Sequence, residues 1–179
     1  MPAVLVNGLP GAGKTTLARA LARELHLPLL SKDSVKETLA DHLGALRPAD
    51  WAAREWSRSL GAAAAETLWT LLAESPAGAV LESPWPARTR PLVAAGLARA
   101  GIGEVHEVWC AVPEETARRR FRERASLRHP VHIDGAGFSE EDWRSWAEDA
   151  RPLALGRVHR VDTTRPVDVP ALARAITGA

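Results

Sequence analysis

The chain has a single cysteine, Cys110, no tyrosine, and a formal net charge of only +1. One thiol excludes a disulfide within the chain, and its place in the apolar run 105–112 leads us to expect a buried structural thiol rather than a reactive one. The near-neutral balance excludes the strongly basic footprint of nonspecific nucleic-acid binding, so any basic site must be local. No apolar stretch approaches the roughly 20 residues that cross a bilayer. The opening residues Met1 to Val6 show neither the basic leader nor the long apolar run of a secretory signal, and the expected location is the cytoplasm.

What is present fits one α/β domain over residues 1–179, with monomer and homodimer both open. Val4 to Val6 reads as a short buried strand, followed by a glycine loop and a helix with apolar residues at Leu17, Ala18, Leu21, Ala22 and Leu25. Further strands are expected at 27–31, 79–82, 104–112 and 157–161, with helices at about 34–43, 49–74, 88–99, from Pro113 onward, 139–150 and 169–176. Ser139 with Asp142 forms a capping pattern at the penultimate helix. Such alternation predicts a five-stranded parallel sheet with helices on both faces, and ligands beyond the carboxyl ends of its strands.

One segment carries a specific signal. Gly8-Leu9-Pro10-Gly11-Ala12-Gly13-Lys14-Thr15 fits the phosphate-binding pattern G-x-x-x-x-G-K-[ST], directly after a strand and directly before a helix. Its glycines let backbone N–H groups converge on phosphate oxygens, and the helix turns its positive end toward them. Lys14 reaches the β- and γ-phosphates of ATP, and the Thr15 hydroxyl suits the accompanying Mg²⁺. Thr16 is either an α-phosphate contact or an ordinary first-turn residue.

With that loop in place, the sequence resembles the P-loop small-molecule kinases of the AAA_33 group, among them chloramphenicol phosphotransferase, zeta-toxin-like kinases and the kinase half of polynucleotide kinase. The likeness rests on Gly8 to Thr15, Ser31 to Lys36, Val80 to Ser83, the arginine helix with Arg128-His129-Pro130, and Val161 to Thr164. It implies a three-layer αβα P-loop fold with an arginine-rich lid at about 118–138, and ATP and Mg²⁺ as cofactors. It implies transfer of the γ-phosphate to a hydroxyl of a small-molecule acceptor such as an antibiotic, sugar or nucleoside. Asp33, just past the second strand, then takes the role of base, or else it caps the following helix. Lys36 holds an anionic part of the acceptor or is a solvated lysine. Glu82, ending the third strand, supports magnesium, the acceptor or a structural ion pair.

The run Arg118 to Arg124, with Arg128 beyond it, is a solvated face or the closing lid. Under the resemblance Arg120 and Arg124, four apart on one helix face, are the catalytic and ATP-contacting pair, with Arg128 on the substrate side. Thr163 is expected at the adenine edge and Trp85 at the acceptor. His129 and His132 with Asp134 offer ligand chemistry without diagnostic spacing, and contact to substrate is the expectation there. A polynucleotide 5′-hydroxyl kinase, a nucleotide kinase and an ATPase switch are the competing readings.

Overall fold

The computed structural model describes residues 2–132 and 139–178. In chain order it places β1 (Pro2–Asn7), α1 (Lys14–Glu24), β2 (Leu29–Ser31), α2 (Lys32–Leu43), α3 (Ala53–Ala73), β3 (Ala79–Glu82) and α4 (Arg90–Arg99). There follow β4 (Glu104–Ala111), α5 (Glu114–Glu123), α6 (Glu140–Glu148), β5 (Arg157–Asp162) and α7 (Val169–Thr177). The strands form one parallel sheet in the order β2-β3-β1-β4-β5.

Strand β1 shows why both sheet faces are covered. Successive side chains of a strand point to opposite sides, and Ala3, Val4, Leu5 and Val6 are all fully buried. Val4 and Val6 pack with Leu17 and Leu21 of α1, Ala117 of α5, Trp143 of α6 and Leu172 of α7. Ala3 and Leu5 pack on the other side with Leu68 and Leu72 of α3 and Val93 and Leu97 of α4. The result is the expected three-layer αβα architecture.

Local chemistry sets the helix ends. Ser139 accepts from Asp142 N while the Asp142 carboxyl accepts from Ser139 N, which closes the capping box that starts α6. Asp168 likewise accepts from Ala171 N at the start of α7, and Gly178, at φ 75°, ends it. Three helix starts differ from expectation, α4 opening at Arg90 rather than 88 because 87–89 first make a 3₁₀ turn. Helix α3 begins at Ala53 because the chain after Pro48 first makes a turn, with Trp51 N donating to Pro48 O, before Trp56 N opens the helical ladder onto Ala52 O. Helix α2 begins two residues early, at Lys32, directly from the end of β2. Asp33 therefore lies inside the first turn. The cap position is Ser31, and the capping reading of Asp33 falls.

Candidate active site

The loop between β1 and α1 turns through three glycines with positive φ: Gly8 at 145°, Gly11 at 85° and Gly13 at 84°. Gly11 is required twice over, since a Cβ there would also collide with the Ala117 carbonyl of α5. The loop is clamped from outside. Gly8 N donates to Asn7 Oδ1 at 2.8 Å, and Asn7 Nδ2 donates to Glu107 Oε1 of β4 and to Trp85 O, both at 3.0 Å. Thr163, after β5, donates from its hydroxyl to Ala12 O at 2.8 Å. The structure puts Thr163 against the outer backbone of the loop and not among the residues lining the cavity.

Lys14 is buried, and its Nζ donates to Gly8 O and Leu9 O, each at 2.9 Å. Burial pulls its pKa down, and the neighbouring Glu82 carboxyl pushes it back up. Beneath the loop, burial pushes the Cys110 thiol up to about 12, so the expected inert cysteine is found there.

A cavity of about 810 Å³ opens in front of the loop, lined by Pro10, Gly11, Lys14, Thr15 and Thr16 on one side and by Asp33, Lys36 and Glu37 on the other. Glu82 sits on its floor, buried, accepting from Thr15 Oγ1 at 3.2 Å and from Ser31 Oγ at 2.8 Å. A threonine hydroxyl and a carboxyl adjoining a phosphate cradle are hard oxygen ligands, which fit Mg²⁺ carried by a nucleotide. Open backbone at three left-handed glycines and a lysine at the same mouth fit the triphosphate. Among the described residues no group of three His, Cys, Asp or Glu side chains is placed to hold a metal by itself.

Asp33 faces this cavity with an ion pair to Lys32 at 3.7 Å, and its side chain is 38% exposed. Burial alone would raise its pKa; Lys32, His132, Lys14 and Arg128 outweigh that and hold the carboxyl below the usual carboxylate range. It is ionised at neutral pH. Lys36, Glu37 and Asp41 connect α2 to α3 and to the segment 129–132. Lys36 Nζ donates to Ser57 Oγ at 2.7 Å, whose hydroxyl donates to Val131 O. His132 pairs with Glu37 at 2.8 Å and His129 with Asp41 at 2.9 Å. Asp134, considered with these histidines, lies outside the described residues.

Burial depresses the pKa of His132, against the opposing pull of Asp33 and of the bond to Glu37. The folded protein thus holds this proton more weakly than the unfolded chain. Stability contributed by neutral His132 is present above about pH 6.5 and is lost as the pH falls below it. His132→Gln, which does not titrate, is expected to flatten that acid-side slope. Urea midpoints at about pH 7.5 and about pH 5.5 test it, and equal slopes in the two proteins would refute it.

The arginines divide differently from the helical-face expectation. Helix α5 stops at Glu123 and Arg124 is its C-cap, with its Nε donating to Arg120 O at 3.4 Å. Arg120 Nη1 donates to Thr163 O at 3.1 Å and does not line the cavity, whereas Arg124 and Arg128 do. The Arg128 guanidinium lies over the Phe121 ring, 4.4 Å from its centroid. Trp85 also departs from expectation. It is buried in the core with Leu5, Leu68 and Leu97, because its own N–H and C=O are held by Asn7 and draw the chain inward. Trp146 of α6 lines the cavity instead. Asn7 and Glu107 were not among the candidates; the available signal was a polar residue at the end of apolar β1 and a glutamate directly before the apolar run 108–111 of β4.

These features have counterparts in known proteins. A family model described as an AAA domain (AAA_33) matches residues 4–151. A candidate kinase of Chloroflexus aurantiacus superposes with a TM-score of 0.81 at 30% identity, over 99% of this chain and 97% of that one. A sugar kinase of Janibacter sp. HTCC2649 shares the fold, with a TM-score of 0.61 at 20% identity over 99% and 95% of the two chains. Cytidylate kinase of Pyrobaculum islandicum is 48% identical over 44 residues, 25% of this chain and 24% of that protein, so the match spans about a quarter of the relative's length. No described helix is long and apolar enough to cross a membrane. With a family match running from β1 past the end of α6 and a superposition over nearly the whole chain, the protein belongs to the AAA-domain (AAA_33) family and has the P-loop kinase fold.

Proposed function

We propose that this kinase transfers the γ-phosphoryl group of ATP to a hydroxyl group of a small organic acceptor. The observation that carries the reading is one cavity with the phosphate loop on one wall and the ionised Asp33 on the other. Lys14 and the loop amides hold the phosphates, and Thr15 with Glu82 holds Mg²⁺. ATP, when bound, supplies the phosphoryl group and ADP as leaving group. Asp33 accepts the acceptor hydroxyl's hydrogen bond, sets its oxygen toward the γ-phosphorus, and takes the proton as the new P–O bond forms and the bond to the ADP oxygen breaks. Phosphoryl transfer passes through a loose transition state, so a weakly basic carboxylate suffices, and positioning and charge do most of the work. Arg124 and Arg128 close over the phosphates as lid residues, and Lys36 and Arg128 approach the acceptor.

The stretch similar to cytidylate kinase favours a second reading, a phosphate acceptor. Asp33 and Glu37 stand on the acceptor wall beside Lys32, Lys36 and Arg128, so charge does not decide between the two readings. One experiment separates the readings: Mg-ATP binding by calorimetry, then ADP release with alcohols, sugars, CMP and oligonucleotide 5′ ends, with ³¹P NMR of the product. A phosphate monoester of an alcohol is expected; a diphosphate product or absence of Mg-ATP binding would overturn the proposal.

A further inference from the structure

A second cavity, of about 420 Å³, lies between α2, α3 and the turn Pro130–His132. Ser57 and His129 belong to its walls and also to those of the cavity that holds Asp33, so the two spaces meet at these side chains. Both are fixed in place, Ser57 by its bonds with Lys36 and Val131 and His129 by Asp41.

The two spaces differ in chemistry. The first is walled by lysine, arginine and carboxylates; the second sets Trp56 among Ala40, Gly44, Ala53, Pro130 and Val131, with Arg47, Ser57 and His129 as its polar members and no carboxylate. Ala40 of α2 and Gly44, which caps that helix, are one turn apart, and Ala53 is one turn before Trp56 on α3, so small residues stand along the slot at both helices. A Cβ built at Gly44 would meet nothing within 4 Å. The indole of Trp56 is braced edge-on by Trp51, with ring centroids 6.0 Å apart and planes at 67°. A slot whose wall is mostly an indole and small aliphatic groups favours a flat apolar group, which covers the indole as a compact polyol does not.

We infer that the acceptor is an alcohol with an aromatic or similarly flat apolar body, its hydroxyl at Asp33 and its body in the Trp56 slot. The hydroxyl half rests on the kinase reading; the slot does not. Continuity through Ser57 and His129 is what assigns the slot to the acceptor rather than to a separate ligand. Compact sugars, by contrast, would leave the indole facing water.

The test uses 2-substituted ethanols with one constant hydroxyethyl head and a methoxy, butoxy, phenoxy or 2-naphthyloxy tail. ADP release with Mg-ATP is expected to show KM falling by about tenfold or more from the first to the last as apolar area enters the slot. Ala53→Trp, which fills the slot, is expected to raise KM for the naphthyl ether by about tenfold or more with KM for Mg-ATP unchanged. In the nucleotide-free protein, the indole N–H NMR signal assigned to Trp56 through Trp56→Phe is expected to shift on titration with the naphthyl ether. An unmoved Trp56 signal at saturation, or gluconate or glycerol turned over at lower KM than every aryl ether, overturns the inference. Failure to bind Mg-ATP sinks the kinase reading alone, because the NMR titration needs no nucleotide.

Discussion

Asp33→Asn is expected to lower kcat by roughly 10²–10⁴-fold while affinity for Mg-ATP stays the same or rises. The two halves of this result have separate causes. Asparagine keeps the shape and one acceptor oxygen, so an acceptor hydroxyl is still met, but it neither takes the proton nor repays the positive charge that converges there. Lys32, His132, Lys14 and Arg128 are all electrostatically coupled to Asp33. Removing a negative charge from a site that also receives a triphosphate relieves repulsion, which is why nucleotide affinity has no reason to fall. The carboxyl makes no hydrogen bond among the described residues, so its loss leaves no fold contact broken beyond the pair with Lys32. Pre-steady-state kinetics with calorimetry of Mg-ATP binding measures both quantities, and parental kcat in Asp33→Asn would remove Asp33 from the chemistry.

The largest expected effect on stability belongs to Glu107. Its carboxyl is fully buried and accepts from Asn7 Nδ2, Leu153 N and Ala154 N, at 3.0, 2.9 and 2.9 Å. Ala154, held this way, adopts a left-handed backbone with φ 50°. One side chain therefore ties β4 to the entry of the phosphate loop and to the segment leading into β5. Glu107→Ala leaves three donors without their acceptor in a closed interior and opens a void beside them. The expected cost is about 3–5 kcal/mol. For a chain of this size that lowers Tm by on the order of 10 °C. Glu107→Gln, which keeps the volume and one acceptor oxygen, is expected to fall between parent and alanine variant. Thermal unfolding followed by circular dichroism tests the order, and an alanine variant melting with the parent would contradict the account.

The contrast between these two residues marks what the sequence made legible. Asp33 was found because its position follows from local rules: a strand ends at Ser31, ligands gather at such ends, and the glycine loop had already named the ligand. The strands were equally open to reading, since burial on both faces turns β1 and β3 into unbroken apolar runs. Glu107 was not found, because in 104–111 it reads as a polar interruption, and its partners lie 100 and 46 residues away in sequence. Only the sheet register, which sets Leu5 beside Glu107, brings them together. Trp85 misled for the same reason. Three residues past a site carboxyl suggested a site residue, but the direction of a loop is set by what bonds its backbone, here Asn7. Arg120 and Arg124 remain neighbours at the end of α5, but Arg120 turns to Thr163 O, 43 residues away, while Arg124 lines the cavity.

The sheet order has a consequence for how the protein is made. Strand β1 is central, and its two neighbours, β3 and β4, are translated about 75 and 100 residues after it. The phosphate loop thus leaves the ribosome well ahead of the residues that clamp it, Glu107 about 100 and Thr163 about 150 residues later. In a nascent chain the most recognisable stretch of this sequence waits, unformed, until both have emerged.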